Sequence, residues 1–256
     1  MSLHDRRPEP PVLIAHRGYA FRYPENTLAG IGAAFAAGAC YVEFDIQLCA
    51  DRVPVLMHDE SLRRTTGVDG SVHETPLARL RMIEVSERER LGEESRGARI
   101  PTLAEAVELV RSHPRGEAFV EIKCESLARF GLADTVSATV DALRSAADRL
   151  IVISFDREAI RRARELGAPR IGWVLEEWSV AARSDAESLG PDFLFSDRRL
   201  LPPGERVWPG PWRWAVYEVT DPDEAMELAG RGVELVETMA LTEMLADPRL
   251  APAACR

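Results

Sequence analysis

Short apolar runs alternate with amphipathic segments along the chain. Runs rich in Val, Ile and Phe predict eight strands, at residues 12–15, 41–46, 119–122, 150–155, 171–175, 193–195, 214–219 and 233–236. Apolar residues at three-to-four spacing predict helices between them, at residues 28–37, 103–110, 134–147, 157–166 and 223–229. Because strands that alternate with helices form parallel sheets, this pattern predicts an α/β fold.

One further apolar run, at residues 53–57, follows the second strand after only a short turn. A parallel crossover needs about a dozen residues or more, so this run is expected to fold back as an antiparallel hairpin. The remaining eight strands then suit a TIM (β/α)8 barrel, which routinely fills about 250 residues. We expect a single barrel domain over residues 1–256, with residues 48–98 as a small insertion subdomain after strand two.

Composition narrows the classes of partner. The net charge is -10, which argues against nucleic acid or an anionic membrane surface as a partner, because polyanions attract basic patches. The four cysteines show no CxxC spacing and predict reduced thiols. A polar N-terminus without a long apolar run predicts a cytoplasmic protein with no stable membrane anchoring. The oligomeric state is left open.

Paired polar residues lie at the carboxyl ends of two predicted strands, where barrel enzymes carry their active sites. Side chains two apart on a strand share a face, so Glu43 projects with Asp45, and Glu121 with Lys123. Isolated carboxylates buried there would protonate, and a divalent cation bound by Glu43, Asp45 and Glu121 removes that conflict. Oxygen ligands suit Mg²⁺ first, with Ca²⁺ or Mn²⁺ as alternatives. The competing interpretation, a salt-bridge layer with Lys123 and Arg17, leaves more anion than cation.

Two histidines accompany these carboxylates. His16 ends the first strand and His58 ends the hairpin strand, and an imidazole can take or give a proton near neutral pH. Hydrolysis of a phosphodiester needs both acts, since the nucleophile loses a proton and the leaving alkoxide gains one. The remaining histidines are predicted to be surface residues: His4, His73 and His113.

Neighbouring residues supply cations and turn chemistry. Arg17 offers a fork-shaped cation to phosphate oxygens, and Lys123 adds a point charge. Gly18 is expected to let the backbone approach a ligand closely. Two alternatives stay open: Asp59 orients the His58 imidazole or caps a turn, and Glu25 holds Arg17 or only belongs to a helix start capped by Asn26 or Thr27.

The sequence resembles the glycerophosphodiester phosphodiesterase family through five motifs in order: His16-Arg17-Gly18, Pro24-Glu25-Asn26-Thr27, Glu43-Phe44-Asp45, His58-Asp59 and Glu121-Ile122-Lys123. The resemblance implies a TIM barrel with a small insertion after strand two. It implies metal-dependent hydrolysis of small glycerophosphodiesters to sn-glycerol 3-phosphate and an alcohol. By the same resemblance, Glu43, Asp45 and Glu121 are the metal ligands, and His16 and His58 are the acid/base pair. Arg17, Lys123 and Trp214 are then the substrate contacts.

Two positions near the C-terminus depart from the family pattern. Tyr217 stands where strand seven commonly carries Asn, and Glu237-Thr238 stands where strand eight commonly ends in Thr-Asp. These positions leave the accepted alcohol open, as the sequence also does for the native metal and for attack by water or by a glycerol hydroxyl. Two alternative functions are a lysophospholipase D-like hydrolase and a non-catalytic sensor of a phosphorylated ligand on the same barrel.

Overall fold

The computed structural model describes residues 9–92 and 98–251, and this part of the chain contains nine strands. They are Val12–Ala15 (β1), Tyr41–Leu48 (β2), Pro54–Leu56 (β3), Glu117–Ile122 (β4), Leu150–Ser154 (β5), Ile171–Leu175 (β6), Phe193–Asp197 (β7), Arg213–Tyr217 (β8) and Leu235–Thr238 (β9). Each of the eight predicted barrel strands and the predicted hairpin strand overlaps one of them.

Eight of these strands form a closed parallel ring. Their order is β1-β9-β8-β7-β6-β5-β4-β2, and β1 pairs with both β9 and β2, which closes the barrel. β3 lies outside the ring and pairs antiparallel with the end of β2, with Ile46 opposite Leu56. The predicted TIM barrel with an inserted hairpin is therefore confirmed.

Helices cover the outside of the ring. The longer ones are Leu28–Ala36 (α1), Leu103–Ser112 (α5), Cys124–Phe130 (α6), Leu132–Leu143 (α7), Arg157–Glu165 (α8), Val180–Leu189 (α9) and Pro222–Gly230 (α10). The short ones are Arg63–Thr66 (α2), Leu77–Leu80 (α3), Arg88–Leu91 (α4) and Leu241–Leu245 (α11), with 3₁₀ turns at Val72–Glu74, Arg144–Arg149 and Arg198–Leu200. α5 begins with a reciprocal capping box between Thr102 and Glu105, which fixes its start at the predicted residue.

Three hydrophobic clusters hold these layers together. One fills the barrel interior with side chains from all eight parallel strands, among them Ile14, Phe119 and Leu235. A larger one joins the outer faces of the strands to the helices. A third belongs to the segment between β2 and α5, where Leu62 and Leu80 are buried among its own side chains. The division of the chain at residues 48–98 stays a prediction.

Some expectations about single residues are wrong. His73 is buried, and its Nε2 lies 2.9 Å from Gln47 Oε1. His113 is half-buried and stacks on Phe35, whereas His4 lies outside the described residues. Cys49 and Cys124 are free thiols, but Cys40 is disulfide-bonded, so the prediction of reduced thiols fails there.

The cellular compartment stays a prediction. Among the described residues, none of the helices combines the length and apolarity needed to cross a bilayer. Disulfides persist mainly in oxidising compartments, so the bond at Cys40 argues against the predicted cytoplasmic location.

The barrel interior should be the most sensitive part of the fold. Phe119 is fully buried, and its ring lies edge-on to Phe193 and Phe195 at 5.0 Å. We expect Phe119→Ala to lower the free energy of unfolding by about 3–5 kcal/mol, because the ring leaves a cavity. Urea denaturation measures this. Phe21→Ala is the matched control at a side chain that is 55% exposed, and it should cost about 0.5 kcal/mol or less. Equal losses in the two variants would contradict the packing argument.

Candidate active site

Polar residues replace apolar ones on the inward faces of the strands as they approach their carboxyl ends. On β2, Tyr41 faces the interior cluster, and Glu43 and Asp45 follow at two-residue spacing. β4 places Glu121 two residues after the interior Phe119, and β9 places Glu237 two residues after Leu235. His16 follows β1, two residues after Ile14. The alternation of each strand thus brings these groups to one end of the barrel.

The predicted metal ligands lie together. Carboxylate oxygens of Glu43, Asp45 and Glu121 lie within 4.8 Å of one another. Glu43 is 1% exposed, and its Oε1 is buried without a hydrogen-bond partner. Burial, Asp45 and Glu237 together raise the pKa of Glu43 well above its usual value. A cation near Glu43 Oε1 would offset the negative charge of this carboxylate, so the donor set fits a hard divalent ion.

Asp45 is the well-paired member of the group. Its Oδ2 accepts a hydrogen bond from Asn26 Nδ2 at 2.9 Å, and its own N–H donates to Asn26 Oδ1 at 3.0 Å. Lys123 Nζ lies 3.4 Å from Asp45 and 2.8 Å from Glu121. Burial alone would raise the pKa of Asp45, but Lys123 and Arg17 outweigh it and lower that pKa. Part of the predicted salt-bridge layer therefore exists, and it leaves Glu43 Oε1 without a hydrogen-bond partner.

His16 is held between carboxyl groups. Its Nδ1 lies 2.6 Å from Glu218 Oε2, and its Nε2 lies 3.8 Å from Glu43 Oε2. Burial favours a neutral imidazole, but Glu237 and the hydrogen bond to Glu218 outweigh it and raise the pKa of His16. Glu237 is 4% exposed with an unpartnered Oε1, and burial raises its pKa to about 7. The Nδ1 of His16 already contacts Glu218, so its Nε2 is the nitrogen on the side of Glu43.

His58 has a matching arrangement on the inserted hairpin. Its Nδ1 lies 2.6 Å from Asp59 Oδ1, which resolves the open alternative for Asp59 in favour of contact with the imidazole. Arg64 from α2 donates to both oxygens of Asp59. The backbone carbonyl of His58 accepts from Gln47 Nε2 at 3.1 Å. Ring and backbone of His58 are thus each fixed by a polar contact.

Arg17 connects the turn after β1 to the carboxylates. Its backbone N–H donates to Glu43 Oε2 at 3.0 Å, and its Nη1 lies 3.2 Å from both oxygens of Glu25. Its Nε lies 3.5 Å from Asp45 Oδ2. Glu25 therefore does pair with Arg17, while Thr27 caps α1 by accepting from Gly30 N–H.

Gly18 packs closely against the start of α1. Its φ is +79°, and a Cβ there would lie 2.9 Å from the backbone of Gly30 and Ile31. The absence of a side chain therefore allows the turn to pack against the start of α1, and the close approach of a ligand stays a prediction.

Trp214 does not join this group. It is 2% exposed, belongs to the outer cluster, and packs against Trp178 and Trp208 at ring distances of 5.5 Å and 5.7 Å. Its neighbour Ala215 faces the barrel interior instead. Its position gives no support to a contact with substrate.

Several residues of the site were not identified from the sequence. Glu218 and Arg64 act through contacts across 202 and 39 residues, which no local pattern reveals. From the sequence alone, Asn26 is only a candidate helix cap and Glu237 is only a departure from the family pattern. The two-residue spacing of Leu235 and Glu237 could have indicated that this carboxylate faces inward.

A closed parallel barrel that gathers histidines, carboxylates and cations at the carboxyl ends of its strands has the architecture of a TIM-barrel enzyme. The model of the glycerophosphoryl diester phosphodiesterase family matches residues 16–201. A glycerophosphodiester phosphodiesterase from Caldanaerobacter subterraneus subsp. tengcongensis is 32% identical over 190 residues, or 72% of this chain and 76% of that protein. The chain therefore belongs to the glycerophosphoryl diester phosphodiesterase family.

Further comparisons agree. Glycerophosphodiester phosphodiesterase 1 of Rattus norvegicus is 34% identical over 68% of this chain, which spans about half of the rat protein (52%). The structure of an Oleispira antarctica phosphodiesterase in complex with its product sn-glycerol-3-phosphate is 27% identical, with a TM-score of 0.79 over 93% of this chain and 96% of that one. A glycerophosphodiester phosphodiesterase from Agrobacterium tumefaciens, 23% identical, shares the fold with a TM-score of 0.70 over 91% and 99% of the two chains.

The raised pKa of the buried Glu43 predicts an unusual pH dependence of stability in the metal-free protein. The pKa of Glu43 in the folded state is raised well above its usual value of 4.5. As the pH rises above 4.5, the unfolded chain loses a proton that the folded protein keeps, and this lowers the free energy of unfolding. Glu43→Gln removes this penalty. In EDTA, we expect the variant to be more stable than the wild type at about pH 8, with a smaller difference at about pH 5.

Glu25→Gln is the matched control with the opposite sign. Burial opposes its ionisation, but Arg64 and Arg17 lower the pKa of Glu25, so its contribution is present above the usual pKa and lost as the pH falls. This variant should lose about 3 kcal/mol at neutral pH, because it breaks a buried ion pair. Urea denaturation measures both effects. A Glu43→Gln variant less stable than the wild type at the higher pH would refute the interpretation.

Proposed function

We propose that this chain hydrolyses glycerophosphodiesters to sn-glycerol 3-phosphate and an alcohol, with one divalent cation and with His16 and His58 as the acid/base pair. The observation that carries this proposal is the cluster of Glu43, Asp45 and Glu121, with His16 Nε2 3.8 Å from Glu43 Oε2. Family membership supports the same chemistry, and the related Oleispira antarctica enzyme was captured with sn-glycerol-3-phosphate as its product.

The cation would be held by Glu43, Asp45 and Glu121. Its oxygen donors favour Mg²⁺, with Ca²⁺ or Mn²⁺ as alternatives. When bound, such an ion offsets the charge of the carboxylates and withdraws electrons from a phosphate oxygen. The unpartnered Glu43 Oε1 is the feature of this chain that supports its presence.

The two histidines share the proton transfers. A carboxylate only accepts hydrogen bonds, so the contacts of Glu218 and Asp59 place a proton on Nδ1 of each imidazole and leave each Nε2 for the substrate. One Nε2 takes the proton of the nucleophile, which is water or the neighbouring glycerol hydroxyl. The other imidazole begins the reaction protonated at both nitrogens, and it delivers its Nε2 proton to the departing alkoxide oxygen, so that the alcohol leaves neutral.

Arg17 and Lys123 would contact the phosphate. Both are largely buried beside the carboxylate cluster, and Arg17 Nε has no hydrogen-bond partner. A guanidinium and an ammonium there stabilise the negative charge that accumulates on the phosphoryl oxygens. We further propose that the hairpin within residues 48–98 serves to supply His58 to this centre.

The alcohol group would meet Tyr217 and Glu237, on the inward faces of β8 and β9. Burial and Glu237 raise the pKa of Tyr217, so its phenol stays neutral and can donate a hydrogen bond. Neither residue falls within the segment that matches the family model. Family membership therefore does not identify the alcohol.

Loss of either histidine should abolish most of the turnover. We expect His16→Ala and His58→Ala each to lower kcat on glycerophosphocholine by about 10²–10⁴-fold, because each removes one proton transfer. Release of glycerol 3-phosphate measures the rate. His113→Ala, a half-buried histidine next to Phe35, is the control and should retain activity. Near-wild-type turnover in either His16→Ala or His58→Ala would remove that residue from the mechanism.

Metal dependence is tested separately. We expect EDTA to abolish release of glycerol 3-phosphate, added Mg²⁺, Ca²⁺ or Mn²⁺ to restore it, and Glu43→Gln to prevent the restoration, since it removes a charged ligand. Comparing glycerophosphocholine with lysophosphatidylcholine separates the proposed function from a lysophospholipase D-like activity. Full activity in EDTA would contradict the role of the cation.

A further inference from the structure

Arg64 joins two carboxylates that belong to different parts of the site. It lies on α2 in the inserted segment, and its side chain is 45% exposed. Its Nε and Nη2 donate to Asp59 at 2.6 Å and 3.1 Å. Its Nη1 and Nη2 donate to Glu25 at 2.9 Å and 2.6 Å. One guanidinium thus forms two bidentate contacts.

Each of these carboxylates holds a residue of the proposed reaction. Asp59 contacts the Nδ1 of His58, and Glu25 contacts the Nη1 of Arg17 through both of its oxygens. Burial alone would raise the pKa of Asp59, but hydrogen bonds from Arg64 and His58 outweigh it and lower this pKa to about 2. Asp59 therefore remains a hydrogen-bond acceptor at neutral pH.

We propose that Arg64 is a positioning residue that fixes the His58 imidazole relative to the Arg17 guanidinium. This inference rests on the proposed function, because His58 and Arg17 must face the same phosphate. His58 follows β3, outside the closed ring of strands, whereas Arg17 follows a strand of the ring. The separation of the two groups is therefore not set by the barrel alone. The contacts of Arg64 set it together with the hydrogen bond from Gln47 to the His58 carbonyl.

The opposite side of Glu25 is also braced. Its backbone N–H donates to Glu87 Oε2 at 2.7 Å, and Glu87 in turn accepts from Arg90. Arg90 donates further to the backbone carbonyls of Ala20 and Tyr23 in the loop after β1. Glu25 is thus a fixed end of the bridge, and displacement after loss of Arg64 should fall mainly on Asp59 and His58.

The test compares Arg64 with its neighbour on the same helix. Arg63 is 72% exposed and pairs with Asp69. We expect Arg64→Ala to lower kcat on glycerophosphocholine by about 10- to 100-fold with a smaller change in KM, which is the usual effect of losing a group that orients an active-site residue. Arg64→Lys should be nearly as impaired, because an ammonium cannot form two bidentate contacts. Arg63→Ala should retain wild-type kcat.

Two further readouts separate positioning from a loss of folding. Methylguanidinium should restore part of the activity of Arg64→Ala, whereas it should not change the rate of Arg63→Ala. In the Asp59→Asn, Glu25→Gln background, Arg64→Ala should cost less than about twofold further, because its two targets are already changed. The proposal would be overturned if the folded Arg64→Ala variant had wild-type kcat, or if methylguanidinium did not restore any of its activity. It would also be overturned if Arg64→Ala caused its full loss of activity in the Asp59→Asn, Glu25→Gln background.

A measurement without substrate keeps this inference separate from the proposed function. If the wild type releases no glycerol 3-phosphate, the proposed function fails, and nitrogen-15 chemical shifts of the His58 ring decide the role of Arg64. The Nδ1-protonated tautomer should dominate in the wild type and in Arg63→Ala, and its share should fall in Arg64→Ala. An unchanged tautomer ratio in Arg64→Ala would overturn the proposal.

Discussion

Repulsion among the carboxyl groups at one end of the barrel is the constraint on which the other features depend. Glu43, Asp45, Glu121 and Glu237 face an interior that is otherwise apolar, and Arg17 and Lys123 offset only part of their charge. The folded chain keeps this arrangement because barrel packing and the capped helices hold it in place. Under the proposed function, the stability lost at this cluster is the physical basis for binding a cation and a phosphodiester there.

The site combines two kinds of support. The ring of strands fixes the carboxylates and His16, since each follows an interior residue on its own strand. The inserted segment contributes His58, which follows the paired strand β3 and is held further by hydrogen bonds of its ring and its backbone. Gln47 donates to the backbone of His58 and contacts both His73 and Ser126. The buried His73 therefore helps to hold the hairpin in place.

The sequence alone predicts the features that depend on residues close together along the chain. Two-residue spacing placed Glu43 with Asp45, and loop length alone identified the hairpin at β3. The same alternation could have shown that Trp214 faces away from the interior position of Ala215. Glu218 and Arg64 could not be found this way, because their contacts form only after the ring closes and the insertion folds. α9 was missed because its apolar face is short, with Ala182 and Ala186 as its buried residues.

Closure of the ring has a consequence for synthesis of the protein on the ribosome. β1 pairs with β9, and His16 meets Glu218, which lies 202 residues later in the chain. His16 thus emerges from the exit tunnel long before the strand and the carboxylate that complete its surroundings. Until β8 and β9 have emerged, the nascent chain presents an open sheet edge and an unsupported histidine. Under the proposed function, activity therefore begins only after the last strands of the barrel have been synthesised and have joined the first.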